Sequence, residues 1–256
     1  MSVPVRVWCA CLCFAALLTF SVLPTLSAGL DLSGTWAELR VLSDSAVFPL
    51  VGGLSRTTTL VQRVTVEQTG DALRIAATYC AATFDNGSAL TTTINPTFVR
   101  SLPAVASQGS LDPFALPVTF AQSWTTELHG VRLEHPETDP LPTDPNDPRV
   151  FDQDGDGKPG ITVHACALGV ITGDVYVIER LRTRIEGQVA SSDRIEGQVE
   201  GTVEQVILGA SNALFLGSIV SRPDPVSSHS RFVLQRMDPA WTCDEILSHS
   251  AALFAR

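Results

Sequence analysis

Val175-Tyr176-Val177-Ile178-Glu179-Arg180-Leu181-Arg182-Thr183-Arg184-Ile185-Glu186-Gly187-Gln188-Val189 carries the clearest structural signal in this chain. Val175, Val177, Leu181, Thr183, Ile185 and Val189 share one parity, and Arg180, Arg182, Arg184 and Gln188 take the other. A two-residue period sustained this long marks a β-strand with one apolar and one wet face. After Ala190-Ser191-Ser192-Asp193 the odd positions again carry Ile195, Val199, Val203 and Ile207, so the chain turns back as a second long antiparallel strand. Arg-Ile-Glu-Gly-Gln-Val occurs at Arg184 and again at Arg194, a local echo across the turn and too few copies for a solenoid. Gly187, Gly197 and Gly201 fall on the inward parity, where glycines mark bends that let a sheet close on itself.

The same period spreads outward. Val64 and Val66 end one run at Thr69-Gly70-Asp71, and Leu73, Ile75, Ala77 and Tyr79 alternate in the next. Asp85-Asn86-Gly87-Ser88 is a hairpin signal, because Asn-Gly readily takes positive φ, and Thr91 to Ile94 reads as the returning strand. Phe232, Leu234 and Arg236 form a last strand. Thr242-Cys243-Asp244-Glu245 then fits a capping box, opening a short helix whose Leu247, Ala251 and Phe254 share a face. The expected class is all-β: a single antiparallel, barrel-like sheet over residues 29–256 with a short C-terminal helix.

Residues 100–160 interrupt this pattern. Prolines 103, 113, 117, 136, 140, 142, 145 and 148 accumulate there, and proline removes ladder donors and bars the αR conformation before it. The segment reads as a long surface insert with one embedded strand near Trp124 to Leu128. It runs into Asp152-Gln153-Asp154-Gly155-Asp156-Gly157-Lys158-Pro159-Gly160, and the two are expected to form one region on the rim of the sheet. Asp152, Asp154 and Asp156 at alternate positions supply hard oxygen ligands, and Gly157 makes the turn that brings round the carbonyl of Lys158. These four residues are the candidate metal ligands, and calcium the candidate cofactor. A solvated acidic turn is the plainer alternative.

The first residues read as a secretory signal peptide: Arg6, an almost wholly apolar run from Val7 to Leu26, then Ser27-Ala28-Gly29. A retained membrane anchor is the rival reading, since about 20 apolar residues span a bilayer; Pro24 and the small residues favour cleavage after about residue 28. The expected location is therefore secreted or extracytoplasmic. The net charge is −10, and loss of Arg6, the only charged residue of the leader, takes it to −11. Only Lys158 is a lysine, so no basic patch exists for phosphates and nucleic acid is excluded as an expected partner. No later apolar run is long enough for a membrane span. Cys80, Cys166 and Cys243 remain; export permits one disulfide, and sequence alone leaves its partners open.

Leu32-Ser33-Gly34-Thr35-Trp36 resembles the G-x-W signature that opens the first strand of lipocalins and related calycin barrels. The resemblance implies an up-and-down barrel, Trp36 plugging its closed end, a helix after the last strand and a ligand cavity. The Asp152 loop is similar to EF-hand calcium loops, with Asp152, Asp154 and Asp156 at the three carboxylate positions, Gly157 at the turn and Lys158 at the carbonyl position. It departs from them at Val163, where an EF-hand has a bidentate glutamate, and at Pro159 and the strand-like Ile161-Thr162-Val163. It looks more like the D-x-D-x-D-G loops of extracellular β proteins, with Asp139, Asp144, Asp147 or water completing the shell.

G-x-S-x-G, H-E-x-x-H and P-loop motifs are missing from the sequence, so catalysis ranks behind binding. Five histidines are scattered at 129, 135, 164, 229 and 249; His129 and His135 could meet with Glu134, and His164 is weighed as a cavity-facing group. Asn86-Gly87-Ser88 matches a glycosylation sequon. The leading expectation is an exported calcium-binding barrel holding a small apolar ligand. The alternative is a structural or protein-interaction module with a filled core.

Overall fold

Antiparallel pairing runs once round the molecule and returns to its start. The computed structural model describes residues 29–255, and the signal-peptide reading of 1–28 lies outside them. The strands are β1 (Gly34–Phe48), β2 (Gly52–Thr69), β3 (Ala72–Asp85), β4 (Leu90–Ile94), β5 (Val105–Asp112), β6 (Thr119–His129), β7 (Ile161–Ala167), β8 (Ile171–Ser191), β9 (Arg194–Ala210), β10 (Val220–Pro223) and β11 (Arg231–Arg236); the helices are α1 (Pro96–Ser101) and α2 (Cys243–Leu253). All strands join one 11-stranded sheet. Within it β1, β2, β3, β5, β6, β8, β9 and β11 each pair with the next along the chain, and β11 pairs back to β1. This closed, up-and-down ring of eight leaves β4, β7 and β10 as additions at one end.

The opposite end is closed and filled. Trp36 is fully buried among Val64, Val66, Phe120, Ile185, Ile195 and Phe232. Its Nε1 donates to the Leu32 carbonyl at 2.9 Å, and the Arg236 guanidinium lies 4.4 Å from the ring centre. Glycine makes this packing fit: Gly187 and Gly197 are paired, and a Cβ on Gly187 would sit 2.9 Å from the Phe232 ring. The outer wall carries two covers. Helix α2, capped by Thr242 and Glu245 as its sequence predicts, buries Ile246 against Ala37, Val61 and Cys80. Ala251, expected on that face, is exposed because the helix is turned to present Ile246 instead. A Cys80–Cys243 disulfide ties it down and leaves Cys166 free.

Two sequence expectations are corrected. Asp85 to Ser88 is not the turn of a hairpin, because β4 pairs with β7. β5 pairs with β3 only over Ala72–Ala77, and β4 is instead drawn across the barrel end by burial of Leu90 and Ile94 with β7 and β8. Nor is all of 100–160 an insert. Strands β5 and β6 are wall strands that carry core residues Leu111 and Phe120, while Pro113 and Pro117 lie in the turn between them. Only residues 130–160 leave the sheet. They pack on the outer wall, where Val131 and Leu141 meet Ile178 and Leu208, rather than on the rim.

Candidate functional site

Strand β8 has two successive neighbours along one edge: β7 over Ile171–Val177 and β6 over Glu179–Gln188. The excursion leaves and re-enters at this seam through Gly130 and Gly160. A Cβ on Gly130 would lie 2.5 Å from Gly160 Cα, so the two ends touch backbone to backbone. The Asp152 loop is the last part of the excursion. Gln153 N donates to the Gly160 carbonyl at 3.0 Å, and Gln153 Oε1 accepts from Gly130 N at 2.5 Å, which clips the loop across the seam.

Inside the loop, Asp152, Asp154 and Asp156 each bring one oxygen within 4.8 Å of the others. Gly155 and Gly157 take φ of +76° and +82°, which folds the chain round the Asp152 carboxylate. That carboxylate accepts from the backbone of Gly155 at 2.7 Å, Asp156 at 3.2 Å and Gly157 at 2.7 Å. Burial opposes its ionisation, but the three donors outweigh burial and its pKa falls below the ordinary value. Asp156 accepts from Lys158 N at 2.8 Å and Thr162 Oγ1 at 2.6 Å. Asp154 differs: one oxygen accepts from Thr162 N at 2.8 Å, while Oδ1 is buried with no partner. Burial, then the neighbouring Asp156 charge, raises its pKa. An all-oxygen set with one orphaned carboxylate oxygen fits a hard divalent cation. Asp139, Asp144 and Asp147 do not join the set; Asp139 holds His135, Asp144 holds Asn146, and Asp147 is bound to Arg149.

The open half of the barrel holds the second feature. Two adjoining cavities of about 70 Å³ each share Arg56, Phe84, Val163 and Gln205 as a common wall. Phe48, Leu90, Val175, Ile207 and Phe215 line the outer one; Tyr79, Phe98, His129, Leu181 and Val203 line the inner one. A chain of polar groups crosses between them. Arg56 donates to Asp44 at 2.8 and 2.5 Å and to Gln205 Oε1 at 2.8 Å. Gln205 Nε2 donates to Glu179 at 2.5 Å, and Glu179 meets His129 Nδ1 at 3.1 Å. Deeper still, Tyr79 donates to Glu127 at 2.5 Å, and the nearly fully buried Glu38 and Arg40 pair at 2.8 Å. Burial, then the Glu127 charge, holds the Tyr79 phenol well above its usual pKa, so it remains a donor.

No protein family model, curated protein or solved structure matches the chain. What the site can do therefore rests on its own geometry. The histidine that faces the cavity is His129; His164 is on the outer face and bonds to Asp174. His129 and His135 do not meet. Asn86 of the sequon is buried and donates to Thr92 Oγ1 at 2.7 Å, so the folded chain does not present it for glycosylation. Ser43 and His229 both bond to Asp224, at 3.0 and 2.8 Å, which leaves the serine without a base.

The His129–Glu179 pair gives a pH signature. Burial opposes both charges, yet Glu179 raises the His129 pKa above 6.5, and His129, Arg56 and Gln205 lower that of Glu179 below 4.5. The histidine's contribution to stability is complete below its unfolded value and disappears as pH rises through its raised folded value. The glutamate's is complete above its unfolded value and is lost as pH falls through its lowered one. Between those unfolded values both contribute in full. We expect the melting temperature to fall from about pH 6 to pH 9, and the fall to be smaller in His129→Gln. Parallel curves for the two proteins would remove the ion pair.

Proposed function

We propose that this is an exported carrier of a small, largely apolar ligand, with a calcium ion as a structural clamp on the barrel wall. The observation that carries the reading is the paired cavity in the open half, apolar on its sides and crossed by a satisfied polar chain. Apolar ligand sites are concave, with a few placed polar groups that orient the occupant. An apolar cavity of about 150 Å³ accepts benzene; two chambers of about 70 Å³ divided only by side chains suit a single ring or a short alkyl chain. Arg56 and His129 would meet its polar end. A lipocalin-like role is supported by the up-and-down ring and by Trp36 at its closed end.

Calcium serves this reading through the seam. Gly130 follows His129 and Gly160 precedes Ile161, and both flanking side chains line the inner cavity. Asp152, Asp154 and Asp156, with the Lys158 carbonyl, would hold the ion and lock the two halves of the wall together. The bound ion supplies positive charge that relieves the crowded carboxylates, and binding to the folded state alone stabilises it. The filled closed half favours the rival structural module, so the test must separate the two.

Native mass spectrometry of protein purified from its export pathway without chelator, compared with the denatured mass, does so. We expect a calcium-sized increment plus an organic mass lost on denaturation. Asp154→Ala should remove the first increment and lower the melting temperature as chelation does. Calcium alone points to the structural module, and identical native and denatured masses sink both parts of the proposal.

A further inference from the structure

The open end of the barrel carries an apolar collar. Leu50, Leu168, Val170, Leu214 and Leu216 stand on three separate connections, Val220 opens β10, and all six are between 43 % and 79 % exposed. These connections touch one another and the β3–β4 crossing: Leu168 N donates to the Ala89 carbonyl at 2.9 Å, and Gly217 lies against Pro49. They surround the outer cavity, whose lining includes Pro49, Leu90, Phe215 and Ile219. Through residues 45–55, 86–93, 165–173 and 205–221 the sequence contains no Asp, Glu, Lys or Arg, in a chain with 44 such residues. Charge has been kept off every segment that reaches this end.

Folding does not account for these side chains. Leu50 and Leu168 occupy left-handed backbone, φ +70° and +53°, where glycine or asparagine is the usual residue and leucine is strained. Strain of this kind persists where a function holds the residue. A protein partner is ordinarily met by aromatic residues and arginine, and the collar itself is wholly aliphatic. We propose that it inserts into the surface of a neutral, zwitterionic lipid bilayer, placing the cavity mouth against the apolar phase. The exposed ionisable residues beside the collar, Asp85, Glu204 and Arg222, are mostly acidic, which disfavours anionic lipid. Membrane docking rests on the carrier reading only in giving the mouth a purpose; it requires no ligand in the cavity.

The test is flotation of the purified protein with phosphatidylcholine vesicles. Wild type should float, and Leu50→Asn/Leu168→Asn should float roughly tenfold less while melting no lower, since asparagine relieves the left-handed strain. Val170→Asp should act in the same direction through charge. Adding phosphatidylserine should not strengthen binding. Absence of flotation, flotation only with anionic vesicles, or wild-type levels in both variants overturns the proposal. Self-association of wild type without flotation would assign the collar to a second copy. Flotation by a protein of unchanged native mass would keep the docking and remove the carrier, whereas a bound organic mass without flotation would do the reverse.

Discussion

Trp36→Ala is expected to destabilise the protein by about 3–5 kcal/mol, the range for truncating a large buried aromatic residue. The indole does three jobs at the closed end. It fills the floor of the core between Val64, Val66 and Phe232. Its N–H satisfies the Leu32 carbonyl, and its face supports Arg236, whose Nη1 and Nη2 hold the Ser33 and Asp31 carbonyls at 2.7 Å each. Loss of the ring therefore opens a cavity and loosens the segment that crosses the barrel floor. Trp36→Phe keeps most of the bulk and should cost less, mainly the unmade hydrogen bond of about 1–3 kcal/mol. Urea denaturation of the three proteins measures both steps. A near-neutral alanine variant would show that the floor is not held by Trp36, and the likeness to lipocalins would lose its strongest support.

The wall was legible in sequence wherever a strand alternates without a break. Strands β8 and β9 announce their length, facing and partner through a period that needs only neighbouring residues, and α2 announces its start through a capping box of four. Pairing is a non-local choice, and there the local signals misled. Asn86-Gly87 has the chemistry of a hairpin turn, but Leu90 and Ile94 find their burial against β7 and β8, and β4 pairs there instead of with β3. Prolines 113 and 117 hid β5 and left of β6 only the stretch near Trp124 to Leu128, because composition averages a turn with the strands beside it.

The polar chain in the cavity shows the same limit at single residues. Glu179 and Gln205 sit on the inward parity of β8 and β9, and were visible as interruptions of the apolar series. Arg56 shares the parity of Leu60, Val64 and Val66. His129 could not be found this way. Strand β6 bulges between Gln122 and Thr125, which exchanges its faces, so that Phe120 and His129 both point inward although their parities differ. The Asp152 cluster was legible because its three carboxylates lie at alternate positions of one short stretch. Its place across the β6–β7 seam was not, because the seam exists only once both strands lie on β8.

Arg56→Met should cost about 3–5 kcal/mol, as expected when one partner of a buried ion pair is removed and the other is stranded. Arg56 is 4 % exposed and Asp44 6 %, and the guanidinium also holds Gln205 and, at 3.0 Å, Ser221. The single variant leaves the buried Asp44 carboxylate without the guanidinium that balances it. The double variant Asp44→Leu/Arg56→Met removes both charges and should recover most of the loss, because a well-packed apolar pair is often as stable as the ions it replaces. Stability and function then separate. The double variant should fold yet lose affinity for a ligand with a polar head, since Arg56 forms the wall between the two cavities, while a plain hydrocarbon of similar size should bind as well or better. Denaturation of the two singles and the double gives the coupling energy, and native mass gives the retained ligand. If Arg56→Met is as stable as wild type, water reaches Asp44 and the polar chain is a wet channel. If the double variant retains the ligand unchanged, the anchor lies elsewhere, and His129 becomes the group to alter next.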